Sequence, residues 1–156
     1  MYTIAITPSA DPAVNALIAE LDRYQSALYP EESNHLLDLA SLPQNQLIVM
    51  VIRKGEEAVG CGAIVLDDAG RGEMKRVFIN PTHRGQRLGE KLLAELETAA
   101  LQRGCRTLQL ETGIHQHAAI CLYQRCGYEV CDAFAPYQPD PLSVFMMKPL
   151  VHPVGQ

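Results

Sequence analysis

Glu73–Leu93 reads EMKRVFINPTHRGQRLGEKLL, and three kinds of local structure follow one another within it. Met74 to Ile79 is apolar and β-branched enough for a buried strand. Asn80-Pro81 ends that strand, because proline has no N–H to give a ladder and holds φ fixed. A periodic apolar run resumes at Leu88, so the stretch is strand, turn, helix. Between strand and helix stand Arg84, Gly85, Gln86, Arg87, Leu88 and Gly89. Glycines there let the main chain approach a ligand, and a helix start offers unpaired N–H groups. Those groups, the positive end of the helix dipole and two arginines converge on one small volume, which suits a phosphate or pyrophosphate. The plainer alternative is a surface turn with solvated arginines. The spacing fits neither G-x-x-x-x-G-K-[ST] nor G-x-G-x-x-G.

Upstream, Leu47 to Ile52 is a continuous apolar run, followed by Lys54-Gly55-Glu56; Ala58 to Leu66 resumes it before the turn Asp67-Asp68-Ala69-Gly70. Two hairpin-linked strands therefore lead into the strand at Met74. A period of two along that strand predicts Glu73, Lys75, Val77 and Ile79 on one face, with Met74, Arg76 and Phe78 on the other. Downstream, Leu88, Leu92, Leu96 and Ala99 form a helical stripe flanked by Leu93 and Ala100, while Glu90, Lys91, Glu95 and Glu97 are expected to face water; Gly104 ends the helix. Thr107 to Glu111 is the next strand, parallel to the one at Val77, since a helix of this length is what a parallel connection needs. Two parallel strands splaying apart admit a ligand between them, running from the turn into the sheet.

At the start of the chain, Tyr2 to Thr7 is a first strand, and Asp11-Pro12 is an N-cap and N1 pair. Val14, Leu17, Ile18, Leu21, Tyr24 and Leu28 recur at helical spacing up to Pro30. Ser33 or Asn34 caps a second short helix presenting Leu36, Leu37 and Ala40. Towards the other end, Ala118 to Cys126 is a helix closed by Gly127-Tyr128. A strand from Glu129 to Asp132, a loop from Phe134 to Leu142 rich in proline and aromatics, and a last strand from Ser143 to Lys148 complete the order.

A chain of 156 residues with 47% apolar content supports one core, so residues 1–156 are read as a single α/β domain. The net charge of −5, with no basic face beyond the turn, argues against nucleic acid as a partner. No apolar run approaches the ~18 residues a bilayer span requires, and the start is not a signal peptide, so a soluble, cytoplasmic protein is expected. Five cysteines without a C-x-x-C pair suggest neither a disulfide framework nor a zinc site, and most are expected to be small core residues; Cys126, near Tyr123, is the one candidate reactive thiol. His115 and His117 lack a third ligand, so they read as exposed or substrate-lining residues, and no metal is expected.

Two motifs carry a family resemblance. Arg84 to Gly89 resembles the acetyl-CoA signature [QR]-x-x-G-x-[GA] of the GCN5-related N-acetyltransferases (GNAT), with Arg84 first, Gly89 last and Arg87 where the family prefers its first glycine. Ala119 to Tyr128, AICLYQRCGY, resembles the second motif, A-x-x-L-Y-x-x-x-G-[FY], in order and on the expected helix. The resemblance spans nearly the whole chain. It implies a central mixed, splayed β-sheet flanked by helices, with acetyl-CoA as cosubstrate and an amine acceptor as second partner. It also leaves room for a homodimer. A non-catalytic acyl-CoA sensor is the alternative function.

The chemistry so implied makes demands that particular residues meet. A protonated amine must lose a proton before it attacks a thioester, directly or through water. Glu73 stands four residues before Val77, where histone-type members carry their base; its bland reading is a strand-end carboxylate paired with Arg71 or Lys75, and Glu111 is the competitor. The departing thiolate needs a proton or a hydrogen bond, and Tyr123 matches the family position that provides it. Gln116, seven residues earlier, stands where many members hold the cofactor with an asparagine. The resemblance further implies that main-chain groups along Val77, Phe78 and Ile79 pair with the pantetheine arm, while N–H groups of Arg84, Gly85, Gln86, Arg87, Leu88 and Gly89 hold the pyrophosphate. The acceptor pocket is expected from the first helical pair and the Phe134–Leu142 loop, with Tyr137, Asp140 and His115 as candidate contacts.

Overall fold

Tight turns between apolar runs fold the first half of the chain into an antiparallel sheet, and helical crossovers extend it. The computed structural model of the chain describes residues 2–7, 11–28, 43–83, 87–134 and 137–150. The strands are β1 (Tyr2–Ile6), β2 (Leu47–Lys54), β3 (Glu57–Leu66), β4 (Arg71–Ile79), β5 (Thr107–Gly113), β6 (Glu129–Cys131) and β7 (Ser143–Pro149). The helices are α1 (Pro12–Leu28), α2 (Leu88–Gln102) and α3 (His117–Arg125). Among the described residues these seven strands join one mixed sheet in the order β1-β2-β3-β4-β5-β7-β6, in which only the β4–β5 pair is parallel. The second short helix expected near Ser33, and the turn residues Arg84, Gly85 and Gln86, lie outside the described residues.

The sheet has a helix layer on each face, and the residue pattern says which. Ile48, Met50, Ile52, Ile64, Met74, Leu108, Leu110 and Met146 pack against Leu88, Leu92, Leu93 and Leu96 of α2. On the other face Val14 and Leu17 of α1 cover Leu47, Val49, Val51, Cys61, Ala63 and Phe78. Full burial on both faces explains why β2 reads as a continuous apolar run and not as an alternation.

Strand β4 departs from the alternation expected of it. Ala63 pairs with Lys75 but Cys61 pairs with Phe78, so β4 carries one extra residue opposite Gly62. This is a β-bulge, and Arg76 at its centre has φ 57. The extra residue reverses the parity of the strand. Met74, Val77 and Ile79 all pack toward the α2 core, whereas Phe78 belongs to the α1 core. Glu73 and Lys75 therefore share a face with Phe78 and not with Val77 and Ile79, which corrects the expected grouping.

Two further expectations are corrected by packing. Glu97 does not face water: its carboxylate accepts hydrogen bonds from Tyr128 Oη at 2.9 Å and from Lys148 Nζ at 2.8 Å. Of the cysteines only Cys61 and Cys105 are buried; Cys121 is exposed, and Cys126 and Cys131 are intermediate.

Candidate active site

Parallel pairing of β4 with β5 covers only Arg71–Met74 against Thr107–Leu110. Beyond it β4 runs on to Ile79 and β5 to Gly113 without meeting again. The bulge at Arg76 falls where the strands part, and bulges bend a strand and increase its twist. The strands thus splay, and β4 presents backbone N–H and C=O groups to whatever lies between them.

At the splay a cleft of about 990 Å³ brings together all the described residues assigned to cofactor binding, Val77, Phe78, Ile79, Arg87, Leu88, Gly89 and Gln116, with Tyr123 beside them. The start of α2 forms one wall and α3 the other. Gly89 permits this approach, because a Cβ there would stand 2.8 Å from Leu122 Cδ2. Arg87 is the N-cap of α2 and is exposed, with φ 59, in the left-handed region that favours glycine. That conformation gives a physical reason for a glycine at this position of the family signature.

Charge in the cleft is chiefly positive. The positive charges are Arg87 at the α2 N-terminus and Arg125, which is paired with Glu90 at 3.2 Å; the imidazoles of His83, His115 and His117 also line the cleft. Sequence reasoning had not assigned Arg125 or His83 to the site. Arg125 lay within the second motif and was read only as part of it. His83 is held by Tyr2 Oη at 3.1 Å from Nδ1, a contact across the sheet that no local signal announces. Among the described residues no group of three metal-ligating side chains converges.

Gln116 caps the loop before α3 with its side chain turned back. Its Oε1 accepts from Gly113 N–H at 2.9 Å and from Thr112 Oγ1 at 2.8 Å. Because Gly113 N–H is an obligatory donor, this orients the amide and leaves the NH₂ end as the group with hydrogens to offer. Tyr123 is 7% exposed, and its ring meets Tyr128 edge-on with centroids 5.8 Å apart. Burial pushes its phenol well above its ordinary value, with the charges of Cys126 and Glu111 adding to the effect. Its proton stays in place through the neutral range, so the hydroxyl remains a donor. Burial likewise pushes the Cys126 thiol up, aided by Glu97 and Glu90, which works against a reactive thiolate.

Glu73 does not line this cleft. It lies on the α1 face of the sheet, where Lys75 Nζ stands 2.9 Å from its Oε2 and the Tyr137 hydroxyl donates to the same oxygen. The partner is thus Lys75, one of the two cations expected, with an aromatic from the β6–β7 loop added. Glu111, by register on the same face, accepts a hydrogen bond of 2.6 Å from Ser143 Oγ.

The model of the acetyltransferase (GNAT) family matches residues 14–128. The chain belongs to the GNAT family of acetyltransferases. An IAA acetyltransferase of Azospirillum brasilense is 48% identical over 149 residues, covering 95% of this chain and 97% of that protein. A crystal structure from Klebsiella pneumoniae, provisionally named an acyl-CoA N-acyltransferase, is 60% identical with a TM-score of 0.89, covering 97% of this chain and 99% of that one. At 16% identity the fold alone is shared with the PaiA N-acetyltransferase of Thermoplasma acidophilum, solved with coenzyme A, at a TM-score of 0.75 over 96% of this chain and 99% of that one. As in other GNAT acetyltransferases, the sheet is mixed and the helices flank it. No helix among the described residues is long and apolar enough to cross a membrane.

Proposed function

We propose that the protein transfers the acetyl group of acetyl-CoA to a primary amine of a small molecule or peptide, with Tyr123 assisting the leaving thiolate and Glu73 serving as base, directly or through water. The observation that carries this reading is the splay itself: one cleft gathers the part of β4 beyond its pairing with β5, the N-terminus of α2 and the Tyr123 ring. Acetyl-CoA supplies an activated acetyl thioester. Along β4, main-chain groups from Val77 to Ile79 suit the amides of an extended arm, as an added strand would. At the start of α2, free N–H groups, the helix dipole, Arg87 and Arg125 suit its phosphates.

Tyr123 donates a hydrogen bond where negative charge develops, and its dry surroundings strengthen that bond. Glu73 takes the proton that the attacking amine must lose. Calorimetry with CoA and thiol release with a panel of primary amines test the two halves separately. Binding of CoA with amine-dependent thiol release is the expected result. Absence of heat at millimolar CoA overturns the cleft assignment, and CoA binding without thiol release for any amine overturns the transfer.

A further inference from the structure

Lys75, Tyr137 and Glu73 form a closed, directional chain. Lys75 Nζ donates to Glu73 Oε2 at 2.9 Å and to the Tyr137 hydroxyl at 2.7 Å, and the Tyr137 hydroxyl donates onward to Glu73 Oε2. Both contacts to the carboxylate end on the same oxygen. The Tyr137 ring is itself held on two sides, edge-on to Phe134 with centroids 5.3 Å apart and tilted against Phe145 at 5.6 Å.

Stability alone does not account for this arrangement. The Lys75 and Glu73 side chains are only 8% and 18% exposed. Removing two charges from water costs about as much as their pairing returns, and apolar side chains of similar volume do as well or better. What the arrangement supplies is geometry: a carboxylate with one oxygen anchored from two directions cannot rotate freely, and its other oxygen is aimed. We propose that Lys75 and Tyr137 are positioning residues that clamp Glu73 through Oε2 and present Oε1 as the proton-accepting atom. This inference rests on the reading of Glu73 as base. Burial, the charge of Glu73 and the hydrogen bond to it all push the Tyr137 phenol upward, so the clamp keeps its proton at neutral pH. The β6–β7 loop, expected to contribute to the acceptor pocket, is tied by Tyr137 to the base itself.

The test is a double-mutant cycle on Glu73→Gln and Tyr137→Phe, measured as thiol release from acetyl-CoA with the primary amine that the parent turns over fastest. Tyr137→Phe keeps the ring contacts with Phe134 and Phe145 and removes only the hydroxyl. Loosening a catalytic group costs on the order of ten- to a hundredfold in kcat, and CoA affinity by calorimetry should not move. In the Glu73→Gln background the same substitution should cost nothing further, because the group it positions is gone. Lys75→Met should behave in the same way. Equal losses in both backgrounds, or a fully active Tyr137→Phe beside an impaired Glu73→Gln, overturn the clamp while leaving Glu73 as base. A fully active Glu73→Gln overturns the base assignment, and the clamp with it.

Discussion

On the face of the sheet covered by α2, Tyr123 is surrounded by apolar side chains and the neighbouring Tyr128 ring, and its phenol is kept protonated mainly by exclusion of water. On the α1 face, Tyr137 is also kept protonated, but it stands in a polar network with Lys75 and Glu73. Burial is the first cause of the upward shift in both tyrosines, and at Tyr137 the charge of Glu73 and the hydrogen bond to it are added. A dry phenol beside a cleft is suited to a charge that appears only during reaction. A phenol bonded to a permanent carboxylate is suited to holding that carboxylate still. The same residue type is a donor in reserve on one face and a donor already committed on the other.

Removing the hydroxyl on the dry face should have the largest effect. Tyr123→Phe keeps the ring packing, so turnover should fall by the ~10²–10⁴ that general acid assistance supplies while CoA affinity by calorimetry is unchanged; a fully active variant removes Tyr123 from the chemistry. On the polar face, Glu73→Gln should lower the rate by about 10² at pH values below the pKa of the amine and progressively less above it, where the free amine is abundant. A loss uniform across pH assigns Glu73 to binding the acceptor instead, and no loss transfers the base role to Glu111 or water.

A stability measurement sharpens the same contrast. The native values of Tyr123, Tyr128 and Tyr137 lie above the ordinary tyrosine value, so the stability they contribute is complete below about pH 10 and is lost as pH rises beyond it. Tyr123 should contribute about 0.7 kcal/mol per pH unit to that decline near pH 10, where half of the unfolded phenol is ionised, and about 1.4 well above it. Chemical denaturation between pH 9 and 11 should show a shallower decline in Tyr123→Phe. An unchanged slope means that the phenol reaches water in the native state. The smallest effect belongs to the cleft rim: Arg87→Gly removes a side chain from a left-handed backbone and should stabilise by about 1 kcal/mol, or roughly 2–4 °C in Tm. No gain would show that the strain at φ 59 is already offset by contacts of the arginine.

Most of this architecture was legible in the residues. The strands and crossover helices follow from apolar period and from proline and glycine punctuation, and the residues that line the cleft from two motifs placed on the correct elements. The parity reversal in β4 was not legible, because an alternating pattern of mixed residues carries no mark of an inserted position, and Arg76 is not a residue type associated with positive φ. Glu97 misled for a related reason: it lies next to a helical stripe, and its partners Tyr128 and Lys148 arrive from distant parts of the chain. The clamp on Glu73 escaped in part, since Lys75 was foreseen as a neighbour but Tyr137 comes from a loop whose docking has no local code.

The bulge in β4 has a consequence for how this strand can vary. What it contributes is a count of residues, not a chemical group: with one position more than its neighbour, β4 delivers Glu73 and Lys75 to one side and Val77 and Ile79 to the other. In a library built across residues 75–77, position 76 should accept glycine and asparagine most readily, because its φ is 57, as long as the chain length is kept. Deletion of that single position should be lethal to activity, whatever residues surround it, because everything C-terminal to the gap would be turned inside out.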